Sequence, residues 1–219
     1  MAIGGALALF IGSWLHPMHA DPNIPSAAFQ EYAADPHWIS THLIQLLGVV
    51  LMVAALIVLS RKMAGGRADV LAAVGAAAAT AGAAVAAALQ AVDGVALQAM
   101  VHAWAAAAAP DKDMLFFAAL AVRQIEIGLA AMGSLVLGAT VVLFGAALLV
   151  DGRCPRWIGW LGLISGLPGA VAGIVIAYTG FSELAMNVNM PASVLMLVWM
   201  IALGVALWRW SAAPNHGGA

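Results

Sequence analysis

The chain has 219 residues, of which 64% are hydrophobic and 8% charged, with a net charge of −2 at neutral pH and a mean hydropathy of +1.01. A soluble domain carries roughly 25% charged residues, so this composition excludes a water-soluble globule and calls for lipid as the solvent. No basic stripe offers itself to phosphates, which argues against nucleic acid as a partner, and one cysteine, Cys154, excludes an internal disulfide.

About 20 apolar residues, each rising 1.5 Å, cross a hydrocarbon core of about 30 Å. The first apolar stretch, residues 2–15, falls short of that. Its start lacks Lys or Arg, and Met18 sits badly two places before Ala20, so it reads as a short or tilted first span rather than a cleaved signal peptide. In the loop 16–37, Pro17, Pro22, Pro25 and Pro36 interrupt any continuous helix. The second and third spans are expected over 38–60 and 69–92. Residues 94–122 form an outer helical region: the alanine-rich part stops at Pro110, and Asp111 or Asp113 suits the next helix start. This region either projects as a hairpin or lies along the interface. Spans four to six follow over 127–150, 157–181 and 188–210. The expected fold is all-α: one transmembrane domain over residues 1–219, a six-span bundle.

Orientation follows from the basic residues. Arg61, Lys62, Arg67, Arg153, Arg156 and Arg209 all fall on one side of this topology. The positive-inside rule makes that side cytoplasmic, with both chain ends inside, in a bacterial-type cytoplasmic (inner) membrane. In span five, Gly162 and Gly166, then Gly169 and Gly173, repeat the small-xxx-small spacing that lets helix backbones approach closely, whether within one bundle or across a dimer. Pro168 should kink that span. The eight tryptophans mostly lie near expected span ends, as an aromatic belt does.

The polar residues cluster. His16, His19, His37, His42 and His102 map to the outer side, and His216 lies in the C-terminal tail. Three helices carry polar pairs three residues apart, hence on one face: His42 with Gln45, Gln90 with Asp93, and Arg123 with Glu126. All three pairs fall near the outer boundary of the hydrocarbon. The expectation is a shared pocket of His42, Asp93, His102 and Glu126 that holds a metal, with Gln45, Gln90 and Arg123 as supporting partners. The plainer reading is that these groups snorkel to water and that Arg123 and Glu126 form a surface ion pair. His16 and His19 are weaker candidate ligands, because Pro17 keeps them off one regular helix. Imidazole and carboxylate suit zinc, and Met18 beside the two histidines suits copper.

The layout His16-Pro17, Asp35-Pro36-His37-Trp38 leading to His42, Asp93-Gly94, and Arg156-Trp157-Ile158-Gly159-Trp160 resembles a group of uncharacterised prokaryotic multi-pass membrane proteins. The resemblance implies the fold and no activity. The function expected from the residues is a binding or accessory protein with an outward-facing His/carboxylate pocket. It works as a subunit of a larger membrane assembly or as a homo-oligomer. Two readings compete: an intramembrane metal-dependent enzyme using Glu126 or Asp93 as general base, and a small-solute or proton-coupled transporter.

Overall fold

Why the chain breaks where it does is legible at its prolines and glycines. The residue before a proline is held out of the α region, so α1 (Ala2–Leu15) ends as His16 turns extended, at φ −71 and ψ 125, ahead of Pro17. Pro25 takes the first turn of α2 (Pro25–Ala34), where its missing N–H costs nothing. The prolines therefore bracket a short helix within what the sequence presents as the loop 16–37. α3 (Trp38–Met63) and α4 (Asp69–Ala91) follow, and α4 widens into a π-helical segment (Val92–Leu97) before α5 (Gln98–Ala106). Asp111 occupies the N-cap position of α6 (Lys112–Asp151), which stops at Gly152 in the left-handed region at φ 73. α7 (Arg156–Thr179) runs through Pro168 as one helix, and α8 (Glu183–Ala212) completes the chain.

These elements are those of a computed structural model, which describes residues 1–212; His216 lies outside the described residues. Every regular element among the described residues is helical. Five runs are long and apolar enough to cross a membrane: Trp38–Met63, Asp69–Ala106, Lys112–Asp151, Arg156–Thr179 and Glu183–Arg209; Ala2–Leu15 is a shorter apolar helix. Leu43, Leu47 and Val50 of α3, with Val171 and Ile174 of α7, face outward and are exposed. Helices that are apolar on their outer as well as inner faces belong in lipid. The protein is a multi-pass membrane protein.

α1, α3, α4, α6, α7 and α8 each pack against the next, and α8 returns to α1, closing a six-helix ring. Its core centres on Leu59, Met63, Phe144, Trp199 and Leu203. Trp199 donates from Nε1 to the Ile158 carbonyl at 3.0 Å, so its indole is satisfied inside the ring. α6 is 40 residues long, about 60 Å at 1.5 Å per residue, twice the thickness of the hydrocarbon core. It begins at Lys112, well before the expected residue 127, because nothing between these positions breaks a helix. Its first turns pack against α5, and α2 packs against α5 in turn.

The glycines of α7 serve packing within the chain. A Cβ at Gly173 would lie 2.5 Å from Leu135 N and 2.6 Å from Ala131 O of α6, and one at Gly166 would lie 2.7 Å from Gly138 O. Trp38, Trp104 and Trp199 are buried, whereas Trp14, Trp157, Trp160 and Trp208 are exposed. At the end of the bundle remote from α2, Arg153 donates to Asp151 and to the Lys62 carbonyl, joining the α6–α7 turn to the end of α3. The neighbouring Cys154 is a free, buried thiol.

Candidate metal centre

The site forms where three departures from regular helix meet. The proline-enforced end of α1 delivers His16, whose ring meets Trp38 at a tilt and His42 edge-on, with centroids 4.8 and 5.1 Å apart. α3 contributes Trp38 and, one turn later on the same face, His42. The π-helical segment contributes Asp93; such segments re-aim side chains and recur at functional positions. Gly94 makes the approach possible, since a Cβ there would lie 2.6 Å from His42 Cβ.

The hydrogen bonds assign the protons. His42 Nδ1 lies 2.7 Å from the Trp38 carbonyl, which only accepts, so Nδ1 carries hydrogen. The other nitrogen, Nε2, faces Asp93 Oδ2 at 3.0 Å. In the neutral imidazole both of these atoms are acceptors, so a proton or a cation must lie between them. Asp93 Oδ1 is buried and has no hydrogen-bond partner among the described residues. Trp38 Nε1 donates to the Asp93 backbone carbonyl at 2.9 Å, tying α3 to the π-helical segment at the site itself. His16 Nδ1 donates to the Pro17 carbonyl at 2.9 Å, which leaves its Nε2 lone pair for a ligand. Burial holds His16 below the ordinary imidazole range, so it is neutral at pH 7. One ligand atom from each of His16, His42 and Asp93 lies within 4.8 Å of the others.

A second layer closes the site. Tyr32 of α2 stacks on Trp38 at 4.3 Å, and burial pushes its phenol up to about 12. Phe29 of α2 packs against Trp104 and Phe116, anchoring this strap to α5 and α6. Arg123 is 6% exposed and Glu126 3% exposed, so theirs is a buried ion pair, not a surface one. Arg123 Nη1 donates to Glu126 Oε2 at 2.5 Å, with the guanidinium over the rings of Tyr32 at 5.5 Å and Phe181 at 5.0 Å. Glu126 is near enough to feel the charges of Asp93 and His42.

A family model described as a domain of unknown function, DUF4386, matches residues 3–207. The chain belongs to the DUF4386 family. No curated protein and no solved structure matches it.

In this DUF4386 chain the residues singled out from sequence fall into separate groups. His42 and Asp93 meet, and His16 joins them. Glu126 adjoins the site but is bonded to Arg123. Gln90 donates to Gln45 at 3.2 Å, a polar contact between α3 and α4. His102 is exposed and takes another role: its Nε2 contacts Gln98 at 3.0 Å and the Ala33 carbonyl at 3.1 Å, fastening α5 to α2. His19 is exposed, and its backbone N–H, like that of Ala20, is held by the Glu31 carboxylate. Trp38, Tyr32 and Phe181 were not picked out as site residues. For Trp38 a signal existed: it stands four residues before His42, hence on the same helical face.

Proposed function

We propose that this protein is a six-span cytoplasmic-membrane binding protein, N-in and C-in, whose non-cytoplasmic end binds a transition metal ion through His16, His42 and Asp93. One observation carries the reading: His42 Nε2 faces Asp93 Oδ2 at 3.0 Å while His42 Nδ1 is already committed to a carbonyl. A metal resolves the meeting of two acceptors and also gives the orphaned Asp93 oxygen a partner nearby. A ring N–H bonded to a backbone carbonyl is the usual support for a metal-binding imidazole, and both histidines have it. Zinc bonds of about 2.0–2.2 Å keep ligand atoms within about 4.4 Å of one another, so side-chain movements on the order of 1 Å complete the site. Two imidazoles, one carboxylate and no thiolate favour zinc over copper(I). Three protein ligands leave a position open for a partner's side chain or a small ligand.

Binding is favoured over hydrolysis because Glu126, the candidate general base, is paired with Arg123 and is poorly placed to take a proton from metal-bound water. The sparse mass outside the membrane fits a subunit that acts within a larger assembly.

Cobalt(II) substitution tests the site. The purified full chain is expected to take up one Co²⁺ with the intense visible bands of low coordination, and His42→Ala and His16→Ala are expected to lose them. A spectrum of hydrated cobalt in the parent chain would exclude the metal reading. Orientation is tested separately with Cys154→Ser chains carrying Ser26→Cys or Arg67→Cys. A membrane-impermeant maleimide should label the first in intact cells and the second only after lysis; the reverse pattern would invert the topology.

A further inference from the structure

The end of the bundle remote from His16, His42 and Asp93 carries a feature that metal binding does not use. Between the start of α7 and the end of α8 lies a groove of about 390 Å³, lined by Arg153, Pro155, Trp157, Ala202, Val205 and Arg209 among others. Its charged lining residues are Arg209 and Arg153, the latter ion-paired with Asp151, and the rest of its lining is mostly apolar. We propose that this groove seats one anionic phospholipid, the phosphate at Arg209 and Arg153 and one acyl chain along α8.

The sequence spacing of α8 supports a tail as well as a headgroup. Val194, Val198, Ala202, Val205 and Arg209 recur at intervals of three or four, so they form one stripe on the helix. Val194 is 56% and Val198 48% exposed, so the stripe faces the surrounding lipid before it enters the groove. From Val198 to Arg209 is eleven residues, about 16 Å, close to the depth of one leaflet of an about 30 Å core. A free phosphate ion would use the rim alone and leave this apolar floor without a function. Trp157, which lines the groove, and Trp208, next in sequence to Arg209, are 57% and 74% exposed, as indoles at headgroup level are.

Charge agrees. Arg61, Lys62, Arg67, Arg153, Arg156 and Arg209 gather at this end against Asp69 and Asp151. Asp151 holds the Arg153 guanidinium through both carboxylate oxygens, which fixes its position at the rim. The positive end of the α7 dipole and the negative end of the α8 dipole both lie there and oppose each other, so the arginines set the sign of the potential. Basic pockets between spans are recognised seats for anionic headgroups. This inference needs only that the helices span the membrane; it is independent of the metal site and of which leaflet faces the cytoplasm.

The test is native mass spectrometry of the full chain released from vesicles of equal phosphatidylglycerol and phosphatidylcholine. One phosphatidylglycerol should be retained per chain, preferred over phosphatidylcholine by about five-fold or more. Arg209→Gln should bring that preference to within two-fold of unity, whereas Arg67→Gln, at the same end but outside the groove, should leave it unchanged. Ala202→Phe, which keeps the charge and fills the tail track, should also abolish retention. Equal retention of both lipids by the parent chain overturns the proposal. So does an unchanged preference in Arg209→Gln, or displacement of the lipid by 20 mM inorganic phosphate, which would mark a free-anion site.

Discussion

The α6–α7 interface and the α1–α3–π-helix junction both bring backbones into close contact, but by opposite chemistry. Along α6 and α7 the side chains are withdrawn: Gly138, Gly166 and Gly173 let one helix rest on the other's backbone, and the contact is unspecific van der Waals packing. At the junction Gly94 also opens space, yet the space is filled by an imidazole aimed at a carboxylate. Close packing in lipid needs only small residues. Burying a charge there is costly unless it is paired, so the Asp93 carboxylate, with one oxygen unpartnered and the other facing an imidazole acceptor, marks the place where a further cation is expected to bind.

That contrast can be broken from either side. The largest effect is expected at the glycines. Gly173→Leu sets a side chain against Leu135 N and Ala131 O, backbone atoms that cannot swing away, and overpacking of this kind costs about 3 kcal/mol or more. Thermal unfolding in detergent should show a drop of more than about 10 °C or no folded protein, while Gly128→Leu, with open space around it, should match the parent. Next comes Asp93→Asn, which keeps the shape and removes the charge; zinc affinity should fall by about 100-fold or more, with folding retained. Trp38→Phe keeps the ring stack and deletes only the N–H that fixes the Asp93 carbonyl; loss of a supporting bond of this type weakens metal affinity about 10-fold. Smallest is His102→Ala, expected to change zinc affinity less than about two-fold, because His102 bonds to Gln98 and Ala33 instead. An effect of His102→Ala as large as that of Asp93→Asn would redraw the site.

The helices that span the membrane, the proline-bounded end of α1 and the packing glycines were legible because each is written within one segment as a run, a spacing or a single residue. The site was legible only in part. His42 and Asp93 announced themselves as polar groups in oily helices. The choice of third group did not: the sequence ranks His102 above His16, and only α2, a helix that covers α5 and engages His102 through Ala33, accounts for His16 rather than His102 lying beside the pair. The π-helical segment has no sequence signature either, and it is what gives Asp93 its aim. The sequence places Trp38 at a span end but cannot show its burial, because burial of an indole depends on what packs over it, here Tyr32 and His16.

The most direct measurement is metal content by elemental analysis of purified full chain, dialysed after exposure to zinc, beside Asp93→Asn handled identically. The two acceptors that meet at His42 and Asp93 lead us to expect close to one zinc per chain in the parent and less than about a tenth of that in the variant. No stoichiometric metal in a folded parent chain, or equal zinc in both, would contradict the account and leave a proton as the occupant of that contact.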